Sequence, residues 1–335
     1  MKKTLSHLFG CVVTLALTLY FIHSLGYIVR PTDTDRAYYQ INNLHSMTDN
    51  TFEVIVYGSS KGYSSVDPLY LYTHYGIGAY NYSMTQQRIR TNMLFIKDSL
   101  LSQKPKLALI ETFFAHSVLE DTNITPEIFY TRYLKERSAI PEYLKTVFGN
   151  DPERYLSYIM PLCAFHDNWN TLTQKSFTSL SKSMATSTYI KYLGFHDSHI
   201  VAPIKLPDPA SVKQKPFKEK AKLQLDELID LCKSNGMDIL FYTAPYEAGY
   251  PYSDAMKAYA EEKGYPYLNL LEYVDEMGLD GKTDFRDDHH TNTSGAEKIS
   301  DYLGRYISQH YNLTDMRTVD GNIWEETIEK LSKDA

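Results

Sequence analysis

Phe52-Glu53-Val54-Ile55-Val56-Tyr57 runs directly into Gly58-Ser59-Ser60-Lys61-Gly62. A short apolar run rich in β-branched residues that stops at a glycine reads as a buried strand entering a tight turn. The same pattern recurs outward from it. Gly78-Ala79-Tyr80-Asn81-Tyr82, Leu107-Ala108-Leu109-Ile110-Glu111, residues 237–243 and residues 266–270 read as four further strands. Stretches with apolar residues near helical spacing fall at about 88–101, 217–235, 254–263 and 293–311. Strands alternating with helices of this length predict βαβ units and a parallel sheet. The expected fold class is therefore α/β, a three-layer doubly wound parallel sheet. The alternation stops between about residues 120 and 216, a segment rich in Tyr, Thr, Ser and Lys with helical pieces at 140–148 and 151–159. We expect it to be a helical insertion capping the sheet, and the tail after Asn312 to be peripheral.

Upstream of the first strand the chain changes character. Lys2 and Lys3 precede an apolar stretch from Leu8 to Val29, long enough for the roughly 20 residues a spanning helix needs. The stretch has no polar face, as a helix buried in a soluble core would. No A-x-A-like cleavage site stands near Gly26 to Arg30, which favours an uncleaved anchor over a removed signal peptide. Basic residues before the span predict the short N-terminus inside and the rest of the chain outside. The domain reading is thus residues 1–30 as one N-terminal transmembrane anchor, 31–50 as a polar, Tyr-containing stem, and 51–335 as the α/β domain.

Composition bounds the chemistry. The 335 residues are 43% apolar and 22% charged, with a net charge of -7. That length can bury the core of one large α/β domain. No basic stripe is present to track phosphates, so nucleic acid is not an expected partner. Cys11, Cys163 and Cys232 are too few and too scattered for a disulfide framework or a zinc motif; at most Cys163 and Cys232 pair. His196-Asp197-Ser198-His199 has a metal-ligand look, but no Cys or carboxylate cluster supports it. We read it as a solvated loop and expect neither metal nor organic cofactor.

In an open parallel sheet, ligands bind beyond the carboxyl ends of the strands. After the first strand, Gly58 permits a tight turn and puts the hydroxyls of Ser59 and Ser60 near a following helix N-terminus, where negative charge is favoured. Just before the last helix stands Asp284-Phe285-Arg286-Asp287-Asp288-His289-His290-Thr291-Asn292-Thr293-Ser294-Gly295. A serine hydroxyl is a poor nucleophile until a base takes its proton, and an imidazole base needs an acid to fix its tautomer. Asp287 and His290, three residues apart, can supply both from one loop; that spacing favours His290 over His289. Taken alone, the loop is equally well a helix cap built on Asn292 or Thr293.

Together the two segments resemble the SGNH, or GDSL-like, hydrolase superfamily, from Glu53 to Tyr311 with the insertion between. Gly58-Ser59-Ser60 matches the family's G-D-S turn with Ser for Asp, Asp287-Asp288-His289-His290 matches D-x-x-H, and His290-Thr291-Asn292-Thr293-Ser294-Gly295 looks like H-x-N-x-x-G. The resemblance implies a flavodoxin-like sheet and a triad of Ser60, Asp287 and His290. It also implies an oxyanion hole from the Ser60 N–H and a second-block N–H, here Ser83 in place of Gly. The third-block Asn is missing, with Glu111-Thr112-Phe113 in its place, and Asn81 is the nearest substitute donor. One N-terminal anchor, G-S-S and the absent Asn resemble the cell-envelope branch, which includes the teichoic-acid D-alanyl transfer protein and SGNH-like proteins of exopolysaccharide O-acetylation. That implies a serine esterase or O-acyltransferase working on acyl groups of an envelope polysaccharide, partnered by an acyl donor and a multi-span membrane acyltransferase. The alternative is a non-catalytic glycan-binding or scaffold member. His166 and Trp169, in the insertion, are candidates for lining an acceptor cleft.

Overall fold

Five strands form one sheet in the order β2-β1-β3-β4-β5, every neighbouring pair parallel. They are β1 (Val54–Tyr57), β2 (Ala79–Asn81), β3 (Leu107–Glu111), β4 (Asp238–Thr243) and β5 (Tyr267–Asn269). The computed structural model describes residues 2–30, 33–118, 126–178 and 192–334. Successive side chains of a strand point to opposite faces, and here both faces are buried. Ile55, Tyr57, Ala108, Ile110, Ile239 and Phe241 enter one core, and Val54, Val56, Leu107, Leu109, Leu240 and Tyr242 the other. The near-continuous apolar strands follow from this burial on both sides.

The first face is covered by the helices Ile89–Ser99, Glu219–Ser234 and Ser253–Lys263, the second chiefly by the helix Thr293–His310. The result is the expected three-layer, doubly wound α/β arrangement. Its strand order reverses direction between β1 and β3, and that switch point is where such sheets bind ligands.

Three elements differ from the sequence reading. Residues 33–46, read as stem, form helix α2 (Asp33–Ser46), which buries Ala37, Ile41 and Leu44 in the first core. The tail, read as peripheral, carries the helix Ile323–Asp334, whose Trp324 is fully buried, stacked on Tyr72 and donating from Nε1 to the Ala79 carbonyl at 3.2 Å. Cys163 is exposed, Cys232 is buried, and both are free thiols, so the suggested pair does not form.

The N-terminal helix α1 (Lys2–Val29) is long and apolar enough to span a membrane, with a mean hydropathy of 1.9 over an 18-residue stretch within Thr4–Val29. Within the predicted insertion, residues 119–125 and 179–191 lie outside the described residues. Its described helices extend the first core through Ile128, Tyr143, Leu144 and Phe148, and then reach the end of α1.

Candidate active site

The turn after β1 is built on a close approach. A Cβ on Gly58 would stand 2.5 Å from the Glu111 Cβ, so only glycine lets β1 leave the sheet this close to the end of β3. Ser59 then caps the short helix α3 (Ser60–Ser65), its hydroxyl oxygen accepting from the Lys61 N–H and its O–H donating to Glu111 Oε2 at 2.6 Å. Ser60 is thereby fixed as the first residue of the helix, half-buried above the sheet edge.

The second half of the site comes from the far end of the chain. Phe285 bridges Thr291 in antiparallel fashion, and the Arg286 N–H donates to the His290 carbonyl at 3.0 Å, closing a tight loop. Asp287 Oδ1 accepts from the backbone N–H groups of His289 and His290 at 2.8 and 2.9 Å. Asn292 caps the following helix, accepting from the Gly295 N–H, while its amide holds the Thr283 and Ile200 carbonyls. The loop is therefore a helix cap as well as an acid–base pair.

An extended strap around residues 193–204 braces it. The Asn81 N–H donates to Leu193 O, His196 N–H to Tyr63 O, Ala202 N–H to Phe285 O and Ile204 N–H to Gly281 O. The strap thus ties β2, α3 and the loop into one frame.

Across the switch point, His290 Nε2 lies 2.7 Å from Ser60 Oγ, and His290 Nδ1 lies 2.8 and 3.0 Å from the two Asp287 carboxylate oxygens. Burial, reinforced by the Arg286 and Lys61 charges, lowers the His290 pKa to about 4 against the opposing pull of Asp287. Burial alone would raise the Asp287 pKa, but bonds from the His289 N–H and from His290, with the Arg286 charge, hold it below the usual carboxylate range. At neutral pH the pair is a carboxylate beside a neutral imidazole. A carboxylate only accepts, so Nδ1 carries the proton and Nε2 is the lone-pair acceptor for the Ser60 hydroxyl. This is the arrangement a serine nucleophile requires.

Two further ionisable groups frame it, and neither was singled out for this role from sequence. Lys61 is buried, its Nζ donating to the His289 carbonyl at 2.8 Å and lying 4.3 and 4.0 Å from the ring centres of Phe113 and Tyr246. Burial lowers its pKa to about 8 against the pull of Glu111, Asp287 and Asp288, so most of it stays charged at neutral pH. Glu111 is buried at the end of β3, where the third-block Asn was missed. Burial raises its pKa, and bonds from Ser59 and the Phe113 N–H, with the Lys61 charge, work against that rise. A lysine directly after Ser60, in a turn otherwise made of Gly and Ser, was the available sequence signal.

The other predicted positions fare differently. The Ser83 N–H donates to Asn81 Oδ1 at 3.3 Å, and Asn81 Nδ2 donates to the Gly62 and Val66 carbonyls at 3.0 and 2.9 Å. Both residues are fully buried, so their donors are spent on bracing α3 against β2 rather than offered to an oxyanion. The Ser60 N–H finds no acceptor among the described residues and is the predicted donor still open. His289 is exposed on the rim, 3.6 Å from Asp288.

His196 packs on Tyr63 and contacts Arg286, while His199 is exposed beside Asp197. Among the described residues no three His, Cys, Asp or Glu side chains gather to hold a metal. His166 and Trp169 are not brought to the site: they sit on a 3-10 turn, His166–Thr171, that packs against α1.

No protein-family model matches the chain, and no curated protein matches it. Among solved structures, a candidate acylhydrolase from Bacteroides fragilis NCTC 9343 aligns over 81% of this chain and 94% of its own, at 11% identity and a TM-score of 0.38. Activity is therefore read from the side chains themselves.

Proposed function

We propose that the protein is a membrane-anchored, outward-facing SGNH-like serine esterase or O-acyltransferase that acts on acyl groups of a cell-envelope glycan. The observation that carries the catalytic part is the 2.7 Å contact between Ser60 Oγ and His290 Nε2, continued at 2.8 Å to Asp287. His290 takes the Ser60 proton as the oxygen attacks an ester or thioester carbonyl, and Asp287 stabilises the imidazolium that forms. The C–O or C–S bond to the leaving group breaks as His290 returns the proton to it, leaving an acyl-Ser60 ester. A sugar hydroxyl or water, deprotonated in turn by His290, attacks that ester and releases Ser60.

The Ser60 N–H faces the oxyanion, and the Lys61 charge favours negative charge nearby. With the Ser83 and Asn81 donors committed elsewhere, the hole is poorer than in an efficient hydrolase; losing one donor costs about 10²–10³ in rate. The anchor supports an outward-facing, membrane-bound placement, and the resemblance to the cell-envelope branch supports a glycan acceptor and a multi-span acyltransferase as partner.

A fluorophosphonate probe tests the chemistry. The wild type should be labelled at Ser60, and Ser60→Ala and His290→Ala should not. Equal labelling of wild type and Ser60→Ala, with both folded, would leave the non-catalytic scaffold, the reading favoured by the spent donors. Mass analysis of envelope glycan from cells lacking the protein then separates the two activities: fewer acyl groups mean transfer, more mean hydrolysis.

A further inference from the structure

We infer that residues 152–178 form a platform that lies on the lipid surface and seats the domain at a fixed height on the membrane, an inference that rests on α1 being a membrane anchor. The argument begins with length. Residues 4–21 of α1 are exposed without interruption. At about 1.5 Å per residue that free stretch measures roughly 27 Å, close to the ~30 Å of a bilayer's hydrocarbon core. Among the described residues the domain packs on the helix chiefly beyond it, in the last turns.

The contacts there are close and specific. A Cβ on Gly26 would stand 3.0 Å from the Leu162 backbone nitrogen, so glycine lets the following chain lie directly on α1. Asn168 Nδ2 donates to the Val29 carbonyl at 3.0 Å, satisfying one of the carbonyls left open at the helix end. Ser176 and Phe177 share a pocket with Tyr20, His23 and Tyr27. Residues 161–178 are therefore packed on the part of α1 that emerges where hydrocarbon gives way to headgroups.

The same segment and the helix before it turn large apolar side chains outward. Ile159 is 66% exposed, Phe177 62% and Trp169 47%. The helix Pro152–Ile159 is two-sided: Tyr158 is buried against Phe129 and Phe148, while Leu156 and Ile159 face out. Exposed apolar and aromatic side chains on short helices, set beside a spanning helix, are what lies in a membrane interface, and Trp and Tyr prefer that depth. The occupant follows from position. The anchor fixes the height of the segment, and the material at that height is lipid.

The test uses the full-length chain in vesicles of phosphatidylcholine and phosphatidylglycerol, with bromine placed near the headgroup end or near the tail end of the acyl chains. The chain has two tryptophans, and Trp324 is buried, so Trp169→Phe isolates the reporter. Shallow bromine should quench the wild type more than Trp169→Phe, and deep bromine should lose most of that difference. Equal quenching of the two proteins, both retained on vesicles after alkaline carbonate, would overturn the platform while leaving the anchor standing. Removal of both by carbonate would overturn the anchor and the platform with it. Protection of Trp169 from acrylamide in native membranes but not in pure lipid would show that a protein covers the face, which also overturns the lipid assignment.

Discussion

At the scale of single residues, the proposed mechanism turns on an imidazole that must be neutral to act as a base. Burial first, then the Arg286 and Lys61 charges, hold His290 at about 4. The expected kcat/KM on an activated ester is flat down from neutral pH and falls as pH drops through about 4, where the base becomes protonated. Lys61→Met removes a positive charge beside the imidazole, making protonation easier, so the acid limb should move to higher pH; an unmoved limb would mean that Lys61 does not act on His290. Asp287→Asn should keep the fold and lower kcat by about 10⁴-fold, through loss of the right tautomer, measured against the same ester. The meeting of Ser60, Asp287 and His290 was legible because a hydroxyl, an imidazole and a carboxylate stand in loops at the carboxyl edge of one sheet. Ser83 and Asn81 were read as donors to the site, yet both face inward. Nothing in a sequence tells which way an amide points, and here the carbonyls of Gly62 in α3 and of Val66 just after it claim it.

At the scale of elements, the turn and the tail carry separable burdens. Gly58→Ala would drive a methyl against the Glu111 Cβ. Overpacking of this kind costs about 1–3 kcal/mol, and relief can come only by moving the β1–α3 turn. The variant should fold with a lowered Tm and lose most of its probe labelling. Trp324→Ala removes a fully buried side chain wedged against Phe52 and Tyr72. It should cost about 3–5 kcal/mol in denaturant unfolding and leave labelling of the folded fraction intact. The strands were easy to find because they are buried on both faces and so are apolar throughout. Helix α2 was missed for the opposite reason. It buries Arg36, Gln40 and Asn43 among its apolar residues, with Arg36 donating to the Gly194 carbonyl and Gln40 to the Asn81 carbonyl. A count of hydrophobic residues sees only a polar stretch. The tail was missed because its attachment is spread over scattered side chains, Met316, Ile323, Trp324, Ile328 and Leu331, with hydrogen bonds such as the Met316 N–H to the Gly76 carbonyl.

At the scale of the whole molecule, the boundaries of the folding unit are wider than a strand count implies. A chain begun at residue 51 lacks α2, leaving its share of the first core and the Gln40 bond to β2 unfilled. It should be insoluble or melt well below a chain begun at residue 22, which keeps α2 and the end of α1; circular dichroism melts of the two decide this. The switch point also joins distant parts of the chain. Ser60 and His290 are 230 positions apart, and the helix that carries the second onto the sheet follows it in sequence. A ribosome therefore makes Ser60 early and His290 near the end. On the proposed mechanism, a chain cut before the final loop keeps the serine without its base, so such a truncated product should take no fluorophosphonate.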